Sequence, residues 1–176
     1  MNFPTLKTEN LLLRQFQQSD IENVFLGLSH PDIIKYYGVS YDTIEATQEQ
    51  MTFFAELEKN ETGIWWAICS LDNTIFYGAG GLNNLSKEHH KAEIGFWLLP
   101  SFWGKGLMQE AMPIICDYGF QQLNLNRIEG FVESKNSNCK KAMAKLQFQY
   151  EGTMHECEIK NGDYISLDIY AMLKPK

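Results

Sequence analysis

Two glycines flanking a lysine, in Trp103-Gly104-Lys105-Gly106-Leu107, sit between two runs of different periodicity. Upstream, Ala92-Glu93-Ile94-Gly95-Phe96-Trp97-Leu98 reads as a strand; downstream, from Gly106, the apolar spacing reads as a helix. A strand, a glycine turn and a helix start together make a seat for an anion. Glycine lets the backbone approach a ligand closely, and the first amides of a helix are unpaired donors at the positive end of its dipole. Lys105 adds a cation at the same place. The expected ligand is a phosphate or a pyrophosphate.

These residues carry a resemblance. Glu93-Ile94-Gly95-Phe96-Trp97, then Pro100, Trp103-Gly104-Lys105-Gly106 and Glu110-Ala111, with Asn136 downstream, resemble the acetyl-CoA motif of the GNAT superfamily of N-acetyltransferases. The match is closest to its Rim-type branch, which acetylates N-terminal amines of ribosomal proteins among other substrates, and it runs from about Thr8 to Leu173. The resemblance implies an α/β fold: a mixed, mostly antiparallel twisted sheet, splayed at the acetyl-CoA site, with helices on both faces. It implies acetyl-CoA as cosubstrate. The backbone amides of Trp103, Gly104, Lys105, Gly106 and Leu107 would surround the pyrophosphate, and the strand Gly95-Phe96-Trp97-Leu98 would meet the pantetheine arm and the thioester carbonyl. Ser101 stands where the family usually has Gln or Arg, which removes one side-chain contact and leaves the amides intact. Asn136-Ser137-Asn138-Cys139 aligns with the family's Asn-x-x-Ser, so Asn136 is expected on the pantetheine and Cys139 near the cofactor sulfur.

Moving an acetyl group from a thioester to an amine requires a held cofactor, a neutral amine, donors for the oxyanion and a proton for the departing thiolate. Cys139 departs from the family here. A thiol is a weaker donor than a hydroxyl, yet its reference pKa of about 8.5 makes it a usable proton source. A covalent acetyl-cysteine is the alternative; direct transfer in a ternary complex is the family's usual course. Glu93 is the best-placed base, because alternation puts its side chain on one face with Gly95 and Trp97. It would act directly, through a water, or only as scaffold. Glu133 is the second candidate and Tyr150 the third. Gly95 suits a close approach of ligand to backbone, or is an incidental glycine of a buried strand. His89-His90 is the one histidine pair, and no metal site is expected, since no further ligands accompany it. Lys140-Lys141 either meets a phosphate of the nucleotide or caps a solvated helix.

The elements that must position these groups follow from spacing and punctuation. Thr8 to Arg14 reads as a first strand, and Asp20 as the N-cap of a helix from Ile21. A short helix is expected over Ile33 to Tyr37, stopped by Gly38. Asp42 and Glu45 have capping-box spacing, and Thr47, Met51, Phe54 and Leu57 form the core stripe of the helix that follows. Strands from Ile64 to Cys69 and from Ile75 to Gly80 flank a hairpin turn at Asp72-Asn73, and Asn83 to Lys91 reads as a polar loop. The helix from Gly106 to about Leu123 contains Pro113, which should kink it. A strand from Asn126 to Val132, a helix from Asn138 to Leu146 and a closing hairpin through Asn161-Gly162, ending in a strand from Tyr164 to Met172, complete the chain.

At 176 residues the chain is most simply one acetyltransferase domain spanning 1–176. A hydrophobic fraction of 44% with 21% charged residues is that of a folded globular protein rather than a disordered one. A net charge of −7 argues against broad nucleic-acid binding and against an anionic membrane surface. It suits a cationic partner. Cys69, Cys116, Cys139 and Cys157 show no paired spacing and are expected reduced, and no apolar run is long enough for a membrane span. The expected setting is a cytoplasmic monomer or homodimer whose partner is an amine, either a peptide N-terminus or a small molecule. A polyamine acceptor is the first alternative, because Glu151 to Glu156 with Asn161-Gly162 and Tyr164 resembles the tail of spermidine acetyltransferases. A catalytically silent acyl-CoA-binding module is the other, kept open by Cys139 and by Ser166 where the family often has Asp.

Overall fold

The computed structural model describes residues 3–176. In chain order the elements are β1 (Leu6–Lys7), β2 (Leu11–Arg14), α1 (Ile21–Leu28), α2 (Pro31–Ile34), α3 (Ile44–Lys59), β3 (Ile64–Ser70), β4 (Phe76–Ser86) and β5 (Lys91–Leu98). They continue with α4 (Leu107–Gln121), β6 (Arg127–Glu133), α5 (Ser137–Lys145), β7 (Gln149–Lys160) and β8 (Asp163–Leu173). The strands form one sheet in the order β1-β2-β3-β4-β5-β6-β8-β7. Only the β5–β6 pair is parallel. A parallel neighbour needs a crossover, and α4 supplies it.

Helices cover both faces. Ile94 and Leu98 of β5 join Met112, Ile115 and Ile128 in the core beneath α4, and Met143 of α5 lies over Gly130 of β6. On the opposite face, Trp97 packs with Val24, Leu28, Phe54 and Trp65 under α1 and α3. The expected stripe of Thr47, Met51, Phe54 and Leu57 is buried there.

Several local expectations are corrected. Asp20 is the N-cap residue of α1 as expected, but its side chain does not bond the helix amides; its carboxylate accepts from the Gln17 amide at 2.7 Å and from both Arg14 guanidinium nitrogens at 2.8 and 2.9 Å. Arg14 competes for those oxygens more strongly than a helix amide, because its bonds are charge-assisted and bidentate. Thr43, not Asp42, caps α3 by accepting from the Ala46 amide at 3.1 Å. Asn83 to Ser86 continues β4, and β5 starts at Lys91, leaving only a tight turn where a longer loop was expected. The polar side chains there belong to strands paired at the end of the sheet. The helix runs through Pro113 without interruption; the missing amide would have bonded the Gln109 carbonyl, and both residues are on the exposed side, where water can take that bond.

Candidate active site

The glycine turn follows β5 through a short 3-10 turn, Pro100–Phe102. Gly104 and Gly106 have φ of +73° and +78°, the left-handed region that side chains resist. Gly106 is the N-cap of α4. With both glycines in that conformation, the amides of Gly104, Lys105, Gly106 and Leu107 find no backbone or side-chain acceptor among the described residues, and Glu110 is the first to bond back, to the Gly106 carbonyl at 3.2 Å. Met108 and Gln109 are left over by helix geometry. The result is a row of solvent-facing donors at the positive end of α4. Glu110 pins this end: it accepts from the Thr8 hydroxyl and from the Asn10 backbone and side chain at 2.8 and 3.1 Å. Burial works against its charge, but these donors outweigh it and hold its carboxyl below the usual range. The Lys105 ammonium lies 5.2 Å from the centre of the Phe102 ring. Trp103, half exposed, donates its indole N–H to the Leu98 carbonyl at 2.8 Å.

The sheet opens beside this turn. β5 and β6 pair only at Lys91, Ala92 and Glu93 with Arg127, Ile128 and Glu129. Beyond that point β5 stays paired to β4 as far as Leu98, and β6 to β8 as far as Glu133. The two strands therefore part, with Glu93 at the apex. Leu99 donates to the Tyr77 carbonyl on the β4 side at 2.9 Å, so antiparallel alternation turns the amides of Trp97 and Gly95 toward β4 and those of Phe96 and Leu98 into the gap. Phe96 and Leu98 are thus the donors that face an open space. Gly95 has a different task. A Cβ there would lie 2.6 Å from Cζ2 of Trp65, whose ring crosses the strand, so the expected close approach to Gly95 is made by the protein's own indole.

Glu93 is half buried, and its side chain makes no hydrogen bond or ion pair among the described residues. Its neighbour Glu129 is held by Lys91 and Arg127 at 3.1 and 2.7 Å. Glu133 is also occupied, with Lys160 Nζ at 3.2 Å. Tyr150 points elsewhere, to the Thr153 hydroxyl at 2.8 Å. Of the three candidate bases, only Glu93 has a free carboxylate at the apex of the gap. Lys160 was not singled out from sequence, because nothing in β7 signals that its end meets the end of β6.

Asn136 caps α5, its Oδ1 accepting from the Cys139 amide at 3.0 Å. That leaves its amide nitrogen to donate. Cys139 is half buried, and burial pushes its thiol up to about 11. It is therefore a protonated thiol at neutral pH and a poor nucleophile, able to donate a hydrogen bond but a weaker proton source than its reference value suggests. The Lys140 ammonium turns inward to Asp168 at 2.8 Å and so makes a structural pair. Asp168 also accepts from Ser134 and Thr153 at 2.6 and 2.7 Å. Burial opposes its charge, but these donors outweigh burial and bring its carboxyl down to about 2. The group lines a cavity of about 480 Å3 between α5 and the β7–β8 hairpin that takes in Lys140, Tyr150 and Ser166 but not Glu93, Cys139 or the glycine turn. Among the described residues no group of three or more potential ligands could hold a metal, and no helix is long and apolar enough to cross a membrane.

Asp168→Asn is expected to destabilise the fold by about 1–3 kcal/mol, the cost of leaving buried partners unsatisfied. A depressed carboxyl stabilises through its ionised form. The contribution is therefore complete above the unfolded value of about 3.9 and is lost as pH falls through about 2. Melting temperatures between pH 2 and 5 should converge for wild type and variant toward the acid end; a constant difference would sink this assignment.

Comparison with known proteins points one way. The acetyltransferase (GNAT) domain family matches residues 10–149. The uncharacterised N-acetyltransferase YoaA of Bacillus subtilis is 32% identical over 99% of both chains. Among solved structures, the ribosomal L7/L12 alpha-N-protein acetyltransferase RimL in complex with coenzyme A superposes with a TM-score of 0.86 at 20% identity, covering 97% of this chain and 98% of that one. The spermidine N-acetyltransferase of Vibrio cholerae, in complex with CoA and spermine, gives 0.82 at 20% identity over 94% and 96%. The last two show a shared fold.

Proposed function

From the premise that this chain belongs to the GNAT acetyltransferase family, we propose that it transfers acetyl from acetyl-CoA to a primary amine by direct attack in a ternary complex. The observation that carries this reading is the end of β5–β6 pairing at Glu93, which turns the Phe96 and Leu98 amides into a gap leading to the free amides of the glycine turn. The fit to a CoA-type cosubstrate is good: a row of unpaired donors and one lysine suit a pyrophosphate, and strand amides facing a gap suit an extended amide-bearing arm. Acetyl-CoA supplies an activated acetyl thioester.

The roles then divide among this chain's residues. The amides from Gly104 to Leu107 hold the pyrophosphate, the expected Trp103 amide being taken by the Pro100 carbonyl at 3.1 Å, and the Asn136 amide nitrogen with the Leu98 N–H holds the arm. Phe96 N–H donates to the carbonyl oxygen as negative charge develops there, and Gly95 and Trp97 keep that donor in place through their bonds to β4. Glu93 removes the proton from the amine, directly or through a water. The Cys139 S–H donates a hydrogen bond to the departing thiolate, stabilising its charge. We assign the acceptor to the N-terminal amine of a protein, following the Rim-type residues; the small-amine reading draws on the fold shared with a spermidine acetyltransferase. Thiol release from acetyl-CoA against a panel of N-terminal peptides and polyamines tests the function. No release with any amine, while acetyl-CoA binds, would overturn it in favour of a silent acyl-CoA-binding module.

The thiol makes its own prediction. Cys139→Ser is expected to keep or raise activity, because a hydroxyl donates better than a thiol. Cys139→Ala should cost about tenfold or more, in keeping with one positioned proton donor. Intact-mass spectrometry of the enzyme with acetyl-CoA and no amine should show no added acetyl group. A stable adduct that chases onto added amine would replace direct transfer with a covalent route.

A further inference from the structure

The β6 wall of the gap holds a charge arrangement that bears on which amine the site accepts. Glu93 and Glu129 are paired in register, so alternation puts Phe131 and Glu133 on the same face as Glu93, the face of α1 and α2. Glu133 lies four residues past the last pairing, on the part of β6 that has left β5. Its carboxylate is only 10% exposed, and its sole partner among the described residues is Lys160 at 3.2 Å. The same ammonium donates to the Lys35 carbonyl, just after α2, at 2.6 Å. One lysine at the tip of the β7–β8 hairpin thus clasps the end of β6 and the end of α2 across the amine-facing side of the sheet.

We propose that Glu133 anchors a second positive centre of the acceptor, and that Lys160 is a resident ammonium which the acceptor displaces. The chemical class is an amine carrying another ammonium or guanidinium besides the group that reacts. This rests on the acetyl-transfer reading for its reaction, though not for its geometry. A carboxylate this buried is costly to leave without a counter-ion, so a neutral group cannot replace Lys160 there, whereas a second ammonium keeps the charge balanced. The reacting amine gives up its proton to Glu93, whereas Glu133 at the far end of β6 holds its partner in the charged form; the anchored cation is therefore a different one. Lysine suits a removable clasp because its stem is long and its ammonium hydrates readily on release.

The test uses a matched pair of probes, 1,4-diaminobutane and butylamine, which differ by the second ammonium, with an Ala-Lys dipeptide amide beside them to separate polyamine from basic peptide. Wild type should favour diaminobutane over butylamine at least tenfold in kcat/KM. Glu133→Gln should abolish that preference through KM. Lys160→Met should lower KM for diaminobutane severalfold with kcat unchanged, and Lys160→Arg should restore the wild-type value. Hydrogen exchange gives a readout that needs no turnover. Amides over residues 33–38 and 156–164 should exchange faster in Lys160→Met, and also in wild type with saturating diaminobutane but not butylamine. Unchanged exchange in Lys160→Met, or a preference that survives Glu133→Gln, overturns the proposal. If neither amine releases thiol, the acetyl-transfer reading fails for them, and the exchange measurement still decides the clasp.

Discussion

Gly106→Val is expected to lower affinity for acetyl-CoA at least a hundredfold, about 3 kcal/mol. The cause is conformational. A Cβ on Gly106 would meet nothing within 4 Å, so crowding is not the problem, but φ is +78°. A β-branched residue there costs on the order of 1–3 kcal/mol of backbone strain. The turn relieves that strain by rotating out of the left-handed region, which swings the amides of Gly106 and Leu107 off the pyrophosphate. Gly106→Asn is the control, because asparagine tolerates this conformation; its affinity should stay within about tenfold of wild type, roughly 1.4 kcal/mol. Calorimetry measures both. Near-normal affinity in the valine variant would remove the pyrophosphate from this turn.

Glu93→Gln is expected to lower kcat about a hundredfold or more, the low end of what a positioned general base contributes, and to leave acetyl-CoA affinity within about twofold, under 1 kcal/mol. The amide has the same shape and cannot take a proton. Raising pH supplies neutral amine from solution but not the positioned base, so alkaline rescue should be incomplete. The Glu133→Gln variant separates the two carboxylates, since its expected effect is on acceptor KM rather than kcat. A kcat for Glu93→Gln within about threefold of wild type, less than 1 kcal/mol of barrier, makes Glu93 a scaffold residue.

How much of this was legible before the fold was known follows from the range of each interaction. The glycine turn and the Asn161-Gly162 hairpin depend on a few consecutive residues, and each is marked by residue type, glycine where φ is positive. The stripe from Thr47 to Leu57 is likewise a local periodicity that became a buried face. These features the chain declares by itself, because the backbone geometry they need is restricted to a few residue types.

The rest was set by contacts between distant residues. Gly95 looked like a glycine for a ligand and proved to be a glycine for Trp65, thirty positions earlier. Strand position ranked Glu93 before Glu133 and Tyr150; ion pairing and orientation then showed why the other two are occupied, through Lys160 for Glu133 and Thr153 for Tyr150. The Cys139 thiol moved from an ordinary reference value to about 11 because neighbouring elements bury it. Lys160 meets Lys35 across 125 residues only because β8 pairs with β6 and carries β7 with it. The sequence by itself determined the family, the glycine turn and the fold class, since those reside in local backbone preferences. Tertiary structure alone decided which carboxylate is free and how far burial raises the Cys139 thiol, because solvation and charge pairing depend on what the rest of the chain places around a group.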